Sequence, residues 1–334
     1  MKKLASIISI IATIVILAIP ALAMPEATIK DSFENPEIPG YSLPYNLFLP
    51  EDYNETTYYP VILFLHGAGE RGNDNSNQLN NYLPDLYATR PELMGGAIVI
   101  APQCPTDEQW VNTPWENGNY SVDEIPESDA LKTALKLLEY VVDTYGGDRC
   151  RIYITGISMG GFGTWDAIMR HEEIFAAAVP ICGGADPSKA EVLKNFPIVT
   201  YHDTSDNVVP AVGTKDMVKA IRATKNKNIK YNILSGVGHG AWLVAGVDGE
   251  MIDWLFAQNL ATRYPEAADT QPRETEPPVT EPPVTEAPIT EAPATEAPTV
   301  DPAPAKFNPT AIIVIGIAVV AIAIVIVTSK KNKK

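Results

Sequence analysis

Six short, β-branched, mostly apolar runs punctuate the middle of the chain, at residues 61–65, 97–101, 151–155, 176–181, 198–202 and 231–234. Strands that are apolar on both faces belong in a sheet covered on both sides, which is the habit of parallel sheets. Between these runs the apolar period lengthens. Over residues 128–145, Ala130, Leu131, Ala134, Leu135, Leu138, Val141 and Val142 recur at helical spacing, and Gly146-Gly147 supplies a stop. Phe162, Trp165, Ile168 and Met169 mark a second amphipathic helix, and residues 212–224 and 249–260 give two more. Strands that alternate with helices predict an α/β fold built on a mostly parallel sheet, with residues 42–49 as an antiparallel edge strand.

Both ends depart from this alternation. Met1-Lys2-Lys3 leads an apolar run over residues 4–19, then Pro20 and Ala21-Leu22-Ala23, the three-part layout of a secretory signal peptide over residues 1–23. Residues 311–327 are an unbroken apolar run followed by Lys330, Lys331, Lys333 and Lys334, which predicts a transmembrane helix over 310–329 and a cytoplasmic tail at 330–334. Before it, the pattern Thr-Glu-x-Pro-x repeats five times from Thr275 to Thr299. Residues 263–309 hold 12 of the chain's 29 prolines, so this stretch is expected to be an extended stalk with no core. Residues 25–262 remain as one domain, facing the outside of a cell membrane to which a single helix holds it.

Composition then narrows the possible functions. The 334 residues carry a formal charge of −16, and because the ends and the stalk cancel, all of it falls on residues 25–262. A chain without a basic footprint is a poor partner for nucleic acid. Three cysteines are too few for a disulfide framework, although Cys104, Cys150 and Cys182 could include one bridge in an extracellular setting. H-E-x-x-H and C-x-x-C are absent, and Asp74-Asn75-Ser76-Asn77 lacks the full spacing of a calcium loop. Neither a metal nor another cofactor is expected.

The chemistry gathers around one serine. The run at 151–155 leads into Gly156-Ile157-Ser158-Met159-Gly160-Gly161 and then into the helix marked by Phe162 and Trp165. A G-x-S-x-G between a buried strand and a helix sets its serine on a sharp turn, where the hydroxyl is exposed as a nucleophile. A serine hydroxyl needs a base, and the base needs a carboxylate to orient it. After the run at 198–202 come Asp203 and Asp206, and after 231–234 comes Gly236-Val237-Gly238-His239-Gly240. Of four histidines, His239 alone occupies a glycine-flanked loop downstream of both Ser158 and a candidate aspartate, whereas His66, His171 and His202 read as structural. Spacing does not decide between Asp203 and Asp206. For the oxyanion, the Met159 amide follows the nucleophile directly, and Ala68, in the glycine-rich loop after residue 65, is the second candidate donor.

Together, His66-Gly67-Ala68-Gly69-Glu70-Arg71-Gly72, Ala101-Pro102-Gln103-Cys104-Pro105, Gly156-Ile157-Ser158-Met159-Gly160-Gly161 and Gly238-His239 with Trp242 resemble secreted α/β-hydrolase esterases. These include feruloyl and acetyl-xylan esterases and their dienelactone-hydrolase and prolyl-oligopeptidase-like relatives, and the resemblance spans about residues 40–258. It implies the α/β-hydrolase fold and a serine esterase acting through an acyl-enzyme on feruloyl or acetyl esters of plant polysaccharide. It also selects the acid. The family's acidic member lies in a loop like His-Gly-x-x-Asp-x-x-Val-Pro, which aligns with residues 202–210 and chooses Asp206, although Asp203 stands where the family usually has glycine. An insertion over residues 107–127 carries Trp110, Trp115 and Tyr120, which could line a substrate pocket or simply pack in the core, and Trp242 has a claim to the pocket wall. An extracellular peptidase of the prolyl-oligopeptidase-like type and a non-catalytic glycan binder are the competing readings. A pure binder has no need of all three triad members.

Overall fold

The computed structural model describes residues 24–270. The expected signal peptide, the repeat-bearing stalk from residue 271, the transmembrane helix and the lysine tail lie outside the described residues. Among the described residues no helix is long and apolar enough to cross a membrane.

Eight strands form one sheet: β1 (Ile29–Glu34), β2 (Ser42–Phe48), β3 (Tyr59–Leu65), β4 (Ile98–Pro102), β5 (Gly147–Ile157), β6 (Ala177–Ile181), β7 (Ile198–Asp203) and β8 (Ile229–Leu234). Their order is β1-β2-β4-β3-β5-β6-β7-β8. β1 pairs antiparallel with β2 and β2 with β4, whereas the remaining pairs are parallel. This is the mostly parallel sheet expected from the alternation, in the α/β-hydrolase arrangement that the resemblance implied. The stretch expected as an edge strand is β2, but it is flanked by β1, which periodicity missed because Ile-Lys-Asp-Ser-Phe-Glu has only two half-buried positions.

Seven α-helices accompany the strands among the described residues: α1 (Leu83–Thr89), α2 (Pro91–Gly95), α3 (Asp129–Thr144), α4 (Met159–Arg170), α5 (Val212–Ala223), α6 (Trp242–Ala245) and α7 (Gly249–Phe256). α3 starts where Ser128 caps it, its hydroxyl accepting from the amide of Leu131 at 3.0 Å. The buried residues fall into two large clusters, one for each face of the sheet. Along β5, Ile152 and Ile154 join the cluster packed by α3, α4 and α5, whereas Tyr153 and Ile157 join the one packed by α1, α2 and α7. That alternation is the two-sided burial that the apolar runs required.

Folded structure also continues past residue 262. The Arg263 guanidinium lies 4.3 Å over the Phe196 ring and donates to the carbonyls of Glu172 and Phe175, while Tyr264 and Ala267 pack on the second cluster. Side chains just past the expected 262/263 boundary thus still find partners in the domain, which a change in composition does not register. Cys104, Cys150 and Cys182 are all buried and none is bridged in a disulfide.

Candidate active site

Three loops at the C-terminal ends of β5, β7 and β8 meet in one place, the usual site of chemistry in open α/β sheets. The first is the turn between β5 and α4. Ser158 sits there with φ 55° and ψ −116°, a conformation non-glycine residues rarely adopt. Only glycines tolerate the crossing: a Cβ on Gly160 would stand 1.9 Å from the carbonyl oxygen of Leu65, and one on Gly161 would stand 2.3 Å from that of Ile181. Close approach of α4 to β3 and β6 thus forces the glycines, and the strained turn lifts the serine out of the sheet.

The loop after β8 brings His239 to it. Ser158 Oγ lies 2.8 Å from His239 Nε2, and His239 Nδ1 lies 2.8 Å from Asp206 Oδ2. Asp206 comes from the loop after β7, and its side chain is fully buried. Its Oδ1 accepts from the amides of Val208 and Val209 at 2.9 and 3.0 Å. Burial pushes this carboxyl up, but hydrogen bonds from His202, His239 and the two amides outweigh it and hold the group well below the usual carboxylate range. Asp206 is therefore the ionised partner of His239.

Asp203, the rival carboxylate, is turned elsewhere. It accepts from the amide and hydroxyl of Ser205 and, at 2.8 Å, from the amide of Val237 in the histidine loop. Its role is to hold the loop that carries His239, which spacing alone did not reveal. His202, read as structural, also reaches the relay: its Nε2 lies 3.3 Å from Asp206 Oδ2 and 2.9 Å from the carbonyl oxygen of Val209, while Nδ1 meets Thr214 Oγ1 at 2.8 Å. No sequence signal beyond its position in the 202–210 loop marked that contact.

A pocket of about 300 Å³ opens on the serine, walled by Gly67, Ala68, Glu70, Trp115, Trp242 and their neighbours. The Trp242 ring stands edge-on to His239 at 5.4 Å between centroids. Met159 opens α4 and Ala68 opens a 3-10 turn, so each amide stands at the first position of its turn, where an N–H has no carbonyl of the same turn to donate to. Arg71 Nε donates to the carbonyl of Ala68 at 2.9 Å, which holds the loop's orientation.

The insertion's three aromatic residues divide. Trp110 is fully buried and donates to the His66 carbonyl at 3.0 Å, so it is core. Tyr120 donates to Asp166 at 2.8 Å, and Arg170 binds Asp166 together with the carbonyls of Val122 and Ile125, which clamps the insertion to α4. Trp115 alone lines the pocket.

Among the described residues, Cys182, Asp206 and His239 present ligand atoms within 4.8 Å of one another, a grouping that could hold a metal ion. The Asp206 and His239 atoms are already paired with each other, and the Cys182 thiol is fully buried. That arrangement suits proton transfer better than ligation.

Residues 37–246 match the sequence profile of the family described as Esterase. The chain belongs to that esterase family. A search of curated proteins returns no match. Among solved structures, the chain is similar to a thermostable esterase at 37% identity and a TM-score of 0.62, covering 69% of this chain and 63% of that one. It thus spans less than two thirds of that protein. It also shares its fold with a ferulic acid esterase, at 17% identity and a TM-score of 0.52, covering 68% of this chain and 97% of that one. A mutant of the feruloyl esterase module from Clostridium thermocellum, complexed with sinapinate, matches at 16% identity and a TM-score of 0.50, covering 69% of this chain and 88% of that one.

Proposed function

We propose that the chain is a serine carboxylic-ester hydrolase in which Ser158 is the nucleophile, His239 the general base and then acid, Asp206 its orienting carboxylate, and the Met159 and Ala68 amides the oxyanion donors. The observation that carries this reading is the continuous relay Ser158–His239–Asp206, with 2.8 Å at each link. Ser158 Oγ attacks the ester carbonyl as His239 Nε2 takes its proton. The imidazolium formed is stabilised by ionised Asp206, and the oxyanion is received by the two amides. Collapse of the tetrahedral intermediate expels the alcohol with the proton from Nε2. Water, deprotonated by the same nitrogen, then releases the acid and restores Ser158.

The substrate we assign is a feruloyl or acetyl ester on plant polysaccharide. In favour of it stand membership of the esterase family, the two tryptophans on the pocket wall and the shared fold of two feruloyl esterases. The signal peptide, stalk and terminal helix read from the sequence would hold the domain outside the cell on a membrane. The test is Ser158→Ala in the full chain with 4-nitrophenyl acetate, where turnover falls by about 10³-fold or more with an unchanged thermal midpoint. Turnover within tenfold of the parent overturns the assignment. Ferulate and acetate release from xylan then separates the two acyl groups.

A further inference from the structure

One wall of the pocket has no part in the relay. Of the residues that line it, Glu70 alone brings a carboxylate, in a site otherwise made of glycine, apolar and aromatic side chains and the Ser158–His239 pair. Half of that carboxylate is engaged: Oε1 accepts from Asn81 Nδ2, whereas Oε2 is buried and takes no hydrogen bond from any protein group. It also lies close to the chemistry. Oε2 is 2.9 Å from the point where a Cβ on Gly67 would stand, and that point is 3.6 Å from the Cβ of Ser158.

The spare oxygen is not needed to hold its loop. Gln103 Nε2 donates to the Glu70 carbonyl at 3.0 Å, the Glu70 amide donates to the Gly67 carbonyl at 3.3 Å, and Arg71 secures Ala68. A buried acceptor left unpaired is costly, and a negative charge beside a nascent oxyanion works against it. Both penalties fall when the substrate brings a donor. The terminal torsion of a glutamate is broad, so a hydroxyl entering the pocket can draw the oxygen toward it.

We propose that Glu70 is the specificity-determining residue of this pocket, accepting a hydrogen bond from a hydroxyl carried by the ester and disfavouring esters built of hydrocarbon alone. The inference rests on Ser158 being the nucleophile of an ester hydrolase. It narrows the substrate class to hydroxylated esters, either phenolic on the acyl side or polyol on the alcohol side. A site made to pair with a substrate hydroxyl rejects the analogue lacking it more strongly than an apolar pocket rejects by shape, because its own polar group is stranded.

Two substrate pairs distinguish the sources: methyl 4-hydroxycinnamate against methyl cinnamate, and glycerol monoacetate against propyl acetate. The full chain should prefer the hydroxylated member of at least one pair by about tenfold or more in kcat/KM, mostly through KM. In Glu70→Met a side chain of similar length remains, but it offers no oxygen to accept from Asn81 or from the substrate hydroxyl. The preference should then collapse below about threefold, through a lower kcat/KM on the hydroxylated ester and a higher one on its partner. No preference in either pair, or a preference kept in Glu70→Met, overturns the proposal, and the parent comparison decides alone if the variant fails to fold. If the parent hydrolyses none of the four esters, the ester-hydrolase reading itself falls and the inference with it.

Discussion

Replacing Asp206 with asparagine separates orientation of the base from binding of the substrate. Asp206 does not itself line the pocket, so KM has little reason to move. In Asp206→Asn the side-chain oxygen can still accept from the amides of Val208 and Val209, which preserves the loop. The NH2 then takes the place of Oδ2, 2.8 Å from His239 Nδ1, and donates to a nitrogen that formerly donated. The imidazole proton must move to Nε2, which faces the Ser158 hydroxyl and can no longer accept its proton. In a triad the wrong tautomer costs about 10⁴ in kcat, equivalent to about 5 kcal/mol of transition-state stabilisation. Asp203→Asn is the control, because its contacts run to Ser205 and Val237 and not to the imidazole. It should lose about tenfold or less, since the amide oxygen can still accept from the Ser205 amide and hydroxyl and only the bond from the Val237 amide is lost. Steady-state kinetics on 4-nitrophenyl acetate, with thermal midpoints for both variants, checks the pair. Asp206→Asn retaining more than a tenth of parental kcat, or Asp203→Asn losing as much as Asp206→Asn, refutes the reasoning.

Acid should unfold the domain partly through the same two carboxyls. Asp203 and Asp206 are buried, which pushes both up, but their hydrogen bonds hold both below the ordinary value, so the stability they contribute is fully present above the unfolded pKa of about 4 and is lost as pH falls through the depressed folded values. The thermal midpoint measured from pH 6 to pH 3 should drop, and less steeply in an Asp203→Asn/Asp206→Asn double variant; equal slopes would refute this. Gly160→Ala puts a methyl group 1.9 Å from the Leu65 carbonyl oxygen and should lower the midpoint by about 3 to 10 °C, whereas an unchanged midpoint would mean that α4 is not held against β3.

Most of the sheet is legible in the chain because its central strands are buried on both faces and so spell continuous apolar runs. Legibility fails where burial is partial. β1 offers only Ile29 and Phe33 to the core, and its other positions are exposed, so hydropathy has nothing periodic to report. α1 and α2 escape for another reason. Both are short, each carries a proline in its first turn, and α1 follows Tyr82 at φ 64°, a break that no residue preference announces. Their placement is decided by Tyr82, Leu86 and Met94 packing on the sheet, a tertiary effect.

The relay was legible for a different reason than its surroundings. Ser158 and His239 are announced by glycines, because a backbone that must turn sharply, or pass so close to a strand that a Cβ would stand 1.9 Å from its carbonyl oxygen, tolerates little else, and glycine spacing survives in one dimension. What holds those residues in place leaves no such trace. Asp203 and Asp206 are the same residue type three positions apart, and only the fold shows that one meets the imidazole while the other ties down its loop. Trp110 and Trp115, five positions apart in one insertion, are likewise equivalent until Trp110 donates to the His66 carbonyl and leaves Trp115 to the pocket. The same asymmetry brings Glu70 forward. In the chain it is one acidic residue in a glycine-rich loop, whereas in the folded protein it is a carboxylate oxygen with no donor beside the nucleophile, and an unpaired acceptor in such a place specifies what a partner must bring.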